Sequence, residues 1–365
     1  MNKKFSFGFI GCGEIAVSAA EAIAKSELAE IGYAMDVVEA LAQDFQEKYG
    51  PPATTRVDEL LASDVDGVYI ATPHHLHAPL AIRAARAKKH IIVEKPIATT
   101  LKDADEMIAA ARKNGVALSV AFLIRYREDI PYAKRLVAAG LIGEIMGTRV
   151  TYIGDKKPSY WTGGFSGRAK TDWRKSRQTA GGGVLIMNMV HNIDTMRYVT
   201  GLEAARVYAE YGTFITPVEV EDFLTATIRY HTGAIGSIFA GSAFSGRLDQ
   251  GERHPDRILG KEGQILLSSP LRLFSKKGAP AGSLWEGSPE IESEKWQEID
   301  TGPKVDCRQL MMEDFVRAVK AGKEPPITGE DGRAALEIIL AAYTSGEKHQ
   351  PVSLPLKSGE NYENH

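Results

Sequence analysis

The apolar run Phe5-Ser6-Phe7-Gly8-Phe9-Ile10 passes directly into Gly11-Cys12-Gly13-Glu14-Ile15-Ala16, and Asp36 closes a second apolar stretch. Gly11 permits a sharp turn, Gly13 lets backbone N–H groups approach a pyrophosphate, and the small Ala16 brings the next helix close to the strand. The helix beginning near Glu14 directs its N-terminal partial positive charge at phosphate. Asp36 is placed to accept hydrogen bonds from the ribose hydroxyls of an adenosine. Strand, glycine turn, helix, strand and acid in this order are what a dinucleotide site requires. The competing reading is an ordinary tight strand-to-helix turn.

Two further groups carry chemistry of another kind. Lys95, between Glu94 and Pro96 at the end of an apolar run, can stabilise charge developing on a carbinol oxygen. It can also relay a proton if burial and a nearby cofactor charge lower its pKa; otherwise it is a surface lysine paired with Glu94. Pro96 fixes φ in the turn that presents it. Glu94 pairs with Lys95 or meets a nicotinamide ribose, and the sequence leaves both open. His191 titrates in the working range and is the best proton acceptor, although a lone histidine also reads as a structural residue. Asp194, three residues on, orients the helix or the imidazole, or serves as a cap.

These residues need elements to position them. Strand candidates Phe5–Ile10, Ile31–Met35, Gly67–Ala71, Ile91–Val93 and Ala117–Phe122 alternate with Ala-rich amphipathic stretches at Val17–Lys25, Glu39–Tyr49, Ala78–Ala87 and Leu101–Asn114. The alternation predicts a doubly wound parallel sheet ending near residue 123. Ligands sit beyond the carboxyl ends of such strands, where Thr72-Pro73-His74-His75-Leu76-His77 and Glu94-Lys95-Pro96 fall. Adjacent histidines in an extended segment point to opposite sides, so no metal site is expected there.

Beyond residue 125 come a helix candidate at Ile130–Ala139, a strand at Gly147–Ile153 and a loop-rich stretch from Gly154 to Ala180. A helix starting at Gly181-Gly182-Gly183 is read through to Val199. Strands at Ala205–Phe214, Phe223–Tyr230, Ala234–Ala240 and Ile265–Leu267 follow without helices between them, which predicts a largely antiparallel sheet. Lys276–Glu294 reads as a surface excursion. Helices at Met311–Lys320 and Gly332–Thr344 precede a polar tail. The expected division is 1–124 and 125–365.

A chain of 365 residues with 44% hydrophobic and 25% charged residues fits a globular protein of two domains. A net charge of −3 gives no reason to expect nucleic acid or an anionic membrane as partner. Two cysteines, Cys12 and Cys307, suggest neither a disulfide framework nor a zinc site, and a reducing cytoplasm fits. The N-terminus enters its first strand at once, without the separate apolar region of a signal peptide.

With Gly11-x-Gly13, Ala71-Thr72-Pro73, Glu94-Lys95-Pro96, the glycine triplet followed by His191 and Asp194, and Thr328-Gly329-Glu330-Asp331-Gly332-Arg333-Ala334-Ala335, the chain resembles the glucose–fructose oxidoreductase/inositol dehydrogenase/MocA family. The resemblance runs over nearly the whole length. It implies an N-terminal Rossmann domain and a C-terminal α/β domain whose open antiparallel sheet forms a dimer or tetramer interface. It also implies NAD(P)-dependent oxidation of a secondary hydroxyl on a sugar, sugar derivative or cyclitol, or reduction of the ketone, with Lys95 and His191 facing each other across the substrate. Asp36 followed by Val37-Val38, without a basic residue, favours NAD over NADP. A glycoside-cleaving member and a catalytically silent nucleotide sensor are the alternatives.

On the same resemblance, Thr72, Pro73, His74 and His77 line the nicotinamide half, and Trp173-Arg174 meets the nicotinamide end or phosphates. Many members have an aspartate four residues before the histidine; here that position is Met187, with Asn188 beside it as a neutral substrate contact. Arg125 contacts ligand or forms an interdomain ion pair. Tyr160, Trp161 and Arg168 are candidates for a sugar platform, and Cys12 offers only its backbone N–H.

Overall fold

A computed structural model describes residues 3–245 and 255–356; the end of the polar tail, from 357, lies outside them. Strands β1 (Phe5–Ile10), β2 (Ala29–Met35), β3 (Ala53–Thr54), β4 (Gly67–Ile70), β5 (His90–Val93) and β6 (Leu118–Val120) form one parallel sheet in the order β3-β2-β1-β4-β5-β6. Helices α1 (Glu14–Ala24), α2 (Glu39–Tyr49), α3 (Val57–Ala62), α4 (His77–Arg86) and α5 (Leu101–Asn114) connect them. β1 and β4 are buried at every residue, because helices cover both faces of a parallel sheet. α1 approaches its strand through Ala16, Ala19 and Ala20, all fully buried. The strand order reverses between β1 and β4, opening a crevice at their carboxyl ends. β3 and α3 escaped the sequence reading because two and six residues are too short to show a period.

Then follow α6 (Asp129–Ala138), β7 (Ile145–Ile153), two single-turn helices α7 (Tyr160–Gly163) and α8 (Arg177–Ala180), a π-helical turn at Leu185–Met189, and α9 (Val190–Thr200). β8 (Ala204–Gly212), β9 (Phe223–Tyr230), β10 (Ile235–Gly241), β11 (Asp256–Gly260), β12 (Gly263–Leu267), β13 (Leu271–Ser275) and β14 (Lys295–Ile299) come next. Helices α10 (Cys307–Lys320) and α11 (Gly329–Lys348) and the short β15 (Val352–Ser353) complete the described chain. The second sheet has the order β14-β13-β12-β11-β7-β10-β9-β8-β15 and is antiparallel except where β7 meets β10. In β9, Leu224, Ala226, Ile228 and Tyr230 are buried, whereas Thr227 and Arg229 are exposed. The sheet therefore has one covered and one open face, and the open face carries Tyr208, Ile235, Phe239 and Trp296.

Two expectations change. The three glycines lie just before the helical run, which starts at Val184 and reaches Thr200, rather than forming its first turn. Gly181 (φ +83°) ends α8, and Gly182 (φ +146°) faces the Tyr343 hydroxyl, which a Cβ would meet at 2.2 Å. A Cβ on Gly183 would fall 1.9 Å from the Glu221 carbonyl oxygen, so the chain passes there only without side chains. Lys276–Glu294 is not a bare excursion either. Ala279 and Ile291 form a β-bridge and are buried, and Trp285 packs edge-on against Tyr132.

The C-terminal helices return to the first sheet. Phe315 of α10 packs on Phe5 and Phe7 of β1, and α11 lies against α5 and β6. At the exit from β6, Arg125 is buried with its guanidinium fully engaged. Nε and Nη2 donate to the two oxygens of Asp194 at 2.8 and 2.5 Å, and Nη2 lies 2.9 Å from Asp331. Asp331 in turn completes the capping box of α11 with Thr328. Of the two readings left open for Arg125, the structure forms the ion pair. Asp194 accordingly holds Arg125 rather than the imidazole of His191. Arg125→Ala should destabilise the protein by about 3–5 kcal/mol in urea titrations, since it strands a buried carboxylate. The Arg125→Met/Asp194→Leu double variant should recover most of that loss.

Candidate active site

Gly11 adopts φ +92°, and a Cβ there would meet the Ala71 carbonyl oxygen at 2.7 Å, so only glycine fits this turn. A Cβ on Gly13 would touch nothing within 4 Å. The space lies before the N-terminus of α1, whose first N–H groups have no side-chain cap, a cradle suited to pyrophosphate. Asp36 is fixed by two backbone donors, Cys12 N to Oδ2 and Val38 N to Oδ1, both at 2.8 Å. The N–H of Cys12 is thus engaged by Asp36, and burial, with Asp36 nearby, pushes the thiol up to about 12. Ile15 is partly exposed at the start of α1, and Thr72 Oγ1 is buried without a partner. These features fit a dinucleotide along the crevice.

The loop after β7 reaches across this turn. Phe165 N donates to Glu14 Oε2 at 3.0 Å, and Arg168 donates from Nε to the Cys12 carbonyl at 2.9 Å while pairing with Asp44 at 2.5 Å. Arg168 therefore belongs to the glycine turn and not to a sugar platform. Trp161 is 1% exposed and packs in the interior, so it offers no face to a sugar. Tyr160 lies between two cations, with Lys156 Nζ 4.3 Å and the Arg174 guanidinium 5.2 Å from its ring centre.

Pro73 ends the strand segment and introduces the turn carrying His74, whose Nδ1 lies 2.7 Å from the Ala180 carbonyl and whose ring packs, tilted, on Trp173. Arg174 lies over the same indole. His77 has Nδ1 at 2.8 Å from the Pro96 carbonyl and Nε2 at 3.0 Å from that of Thr72. Neither nitrogen is left for a cofactor; His77 braces the two strand-end turns from behind.

Lys95 projects from the end of β5 and donates from Nζ to the Met187 carbonyl at 2.6 Å. Burial lowers its pKa, and Arg308 and Arg174 act in the same direction against Glu94. Glu94 Oε2 accepts from the backbone N–H of Lys95 at 3.3 Å. Its Oε1 accepts from Tyr69 at 2.6 Å and from Arg308 at 2.7 Å. Burial raises this carboxyl, but Arg308 and Lys95 outweigh that and hold it below its ordinary value. His191, on the first turn of α9, sets its ring edge-on to Phe122 at 6.0 Å, with Nδ1 buried and unpartnered. Burial first and Lys95 second lower its pKa to about 3, so the imidazole is neutral at working pH.

Four contributors had no signal in the sequence. Arg308 lies on α10, far along the chain from Glu94. Glu221 accepts from Gly183 N at 2.6 Å, Leu185 N at 2.9 Å and the Tyr343 hydroxyl at 2.8 Å, securing the π turn. Tyr343 comes from α11. Lys156, one of several basic residues in the loop-rich stretch, is 6% exposed and donates to Asn188 Oδ1 at 2.6 Å.

Residues 5–122 match the oxidoreductase family with an NAD-binding Rossmann fold, and residues 130–266 match the Gfo/Idh/MocA C-terminal domain. A 1,5-anhydro-D-fructose reductase from Ensifer adhaerens is 30% identical over 298 residues, spanning 80% of this chain and 82% of that protein. A myo-inositol 2-dehydrogenase from Thermotoga maritima is 26% identical, spanning 95% and 98%. The solved structure of levoglucosan dehydrogenase with NADH superposes with a TM-score of 0.82 at 27% identity, covering 97% of this chain and all of that one. The chain belongs to the Gfo/Idh/MocA family of NAD-dependent oxidoreductases.

The fixed Asp36 carboxylate would lie against a 2′-phosphate, with no neighbouring base at Val37 or Val38. Steady-state kinetics should give a higher kcat/KM with NAD than with NADP. Asp36→Ala should narrow that ratio by about tenfold or more.

Proposed function

We propose that the protein interconverts a secondary alcohol and a ketone on a sugar, sugar derivative or cyclitol, using NAD. The observation that supports this reading is the convergence of Lys95, held on the Met187 carbonyl, and the neutral His191 on one stretch of helix. Residues 1–124 form the cofactor unit and 125–365 the substrate and oligomerisation unit. Gly11, Gly13 and the uncapped start of α1 receive the pyrophosphate, and Asp36 receives the adenosine ribose. When bound, NAD accepts the hydride from the carbinol carbon. The Lys95 ammonium stabilises charge on the carbinol oxygen, and His191 takes the hydroxyl proton, so each hydride removed is matched by one proton. Phe122 holds the imidazole edge-on. In the reverse direction the same two groups donate to the ketone oxygen.

Removing either group should lower kcat far more than it weakens cofactor binding, by about 10²–10⁴-fold. Lys95→Ala is the more severe change because it removes charge as well as a donor. His191→Ala retains activity that rises with pH as water or hydroxide takes the proton. Pre-steady-state hydride transfer and NADH binding on each variant check this; near-normal transfer in Lys95→Ala removes the lysine from the mechanism.

We also assign the protein to the cytoplasm and to a homodimer or homotetramer. Both cysteines are free, and no described helix is long and apolar enough to cross a membrane. Tyr208, Ile235, Phe239 and Trp296 give the open sheet face an apolar surface that a second copy would cover. Light scattering at micromolar concentration should report more than one chain, and a monomer overturns this assignment.

A further inference from the structure

Lys156 is a buried lysine with no acid of its own. The bridge between Asp155 and Ala243 and the bond from Lys156 N to the Ser242 carbonyl at 2.8 Å fix its backbone. The neighbouring Asp155 pairs with Lys157 at 2.8 Å instead. Among the described residues, the hydrogen-bond acceptor of Lys156 Nζ is the neutral Oδ1 of Asn188, and the faces of Tyr160 and Trp161 lie beside it. Glu221 is within electrostatic reach but is held by Gly183, Leu185 and Tyr343. A buried ammonium left this way is costly unless something anionic joins it.

Its position says what that is. Lys156 bonds the side chain of Asn188, and Lys95 bonds the main-chain carbonyl of the residue before, so two cations stand on consecutive residues of one π turn. With Oδ1 accepting from Lys156, the other end of the Asn188 amide, Nδ2, remains a donor, and it donates to no described residue. An ammonium and an amide N–H₂ side by side offer two donors, which match the two oxygens of one carboxylate.

We propose that Lys156 and Asn188 form a carboxylate subsite, and that the substrate is a sugar acid whose carboxylate binds there while its reacting hydroxyl meets Lys95. The inference rests on the oxidoreductase reading for the hydroxyl and on Lys156 and Asn188 for the acid. Arg174, over Tyr160, adds positive potential. A doubly charged phosphate needs more donors than this dry corner supplies, so a single carboxylate is favoured. Met187 fits the same picture, since an aspartate there would repel the acid.

Charge state gives an independent readout. Burial first, and Lys95 second, lower the pKa of Lys156 to about 7; Arg174 acts in the same direction and Glu221 against it. Lys156 therefore gains its proton as pH falls through 7 in the free enzyme, and affinity for an acid rises with it.

The test uses the full-length enzyme with NADH bound and matched pairs: D-glucuronate with D-glucose, D-galacturonate with D-galactose, and D-gluconate with D-sorbitol, plus glucose 6-phosphate. Calorimetry on this NADH complex, which cannot oxidise an alcohol, reads binding; with NAD supplied in place of NADH, cofactor absorbance reads hydride transfer. The expected result is at least one acid bound about 10- to 100-fold more tightly than its neutral partner, more tightly at pH 6 than at pH 8. Lys156→Met should abolish that preference, raising KM for the acid toward that of its neutral partner. Lys156→Arg should restore the preference and flatten its pH dependence, which also separates lost recognition from misfolding. Neutral sugars bound as well as every acid, preference for the phosphate, or an acid preference that survives Lys156→Met each overturns the proposal. Acids that bind without hydride transfer overturn the oxidoreductase reading and leave the subsite standing; turnover of neutral sugars with no acid preference does the reverse.

Discussion

The buried guanidinium of Arg125 fixes how the two sheets meet. It stands where the chain leaves β6 and ties that exit to Asp194 on α9 and Asp331 at the start of α11. Ion pairs this dry contribute little net stability, because desolvation offsets most of the attraction. What they do contribute is intolerance of any other arrangement. A shift of α9 along its axis would leave three charges unmatched, so the helix that carries His191 has one register against the strand ends that carry Lys95 and Phe122.

The remainder of the cleft obeys the same electrostatic rule. Each buried carboxylate has its own donors: Arg308 and Tyr69 for Glu94, backbone N–H groups and Tyr343 for Glu221, and the N–H groups of Cys12 and Val38 for Asp36. The cations are less evenly matched. Lys95 rests on a carbonyl, Lys156 on an amide, and Arg174 on two aromatic faces. The cleft is therefore electropositive toward whatever enters it, a property of several elements together and not of any one motif.

The first sheet was legible because its signals are local. Alternating apolar runs, the glycine turn and Asp36 lie within a few dozen residues, and burial on both faces makes β1 and β4 continuously apolar. The carboxyl-end rule led from there to Glu94-Lys95-Pro96. Much of the second sheet was read correctly, but β11, β13, β14 and β15 are short or polar on one face and were not. The misplacements share a cause. Arg168 and Trp161 were judged by residue type, which says what a side chain can do but not what stands opposite it. Arg308, Glu221 and Tyr343 were invisible for the complementary reason, because their partners are 36 to 239 residues away in the chain. The π turn was unreadable too: the three glycines before it are explained by Glu221 and Tyr343 crowding the chain from outside.

The contribution of α10 bears on how the chain is made. Phe315 completes the packing of Phe5 and Phe7, and Arg308 joins Lys95 as the second cation that holds Glu94. A ribosome delivers the first strands long before these two residues. Until the last sixth of the chain emerges, the nascent parallel sheet keeps an uncovered aromatic patch and an acid without its arginine partner at the mouth of its crevice. The amino-terminal half is the part most exposed to aggregation or capture during synthesis, and a premature stop upstream of Arg308 leaves it in that state for good.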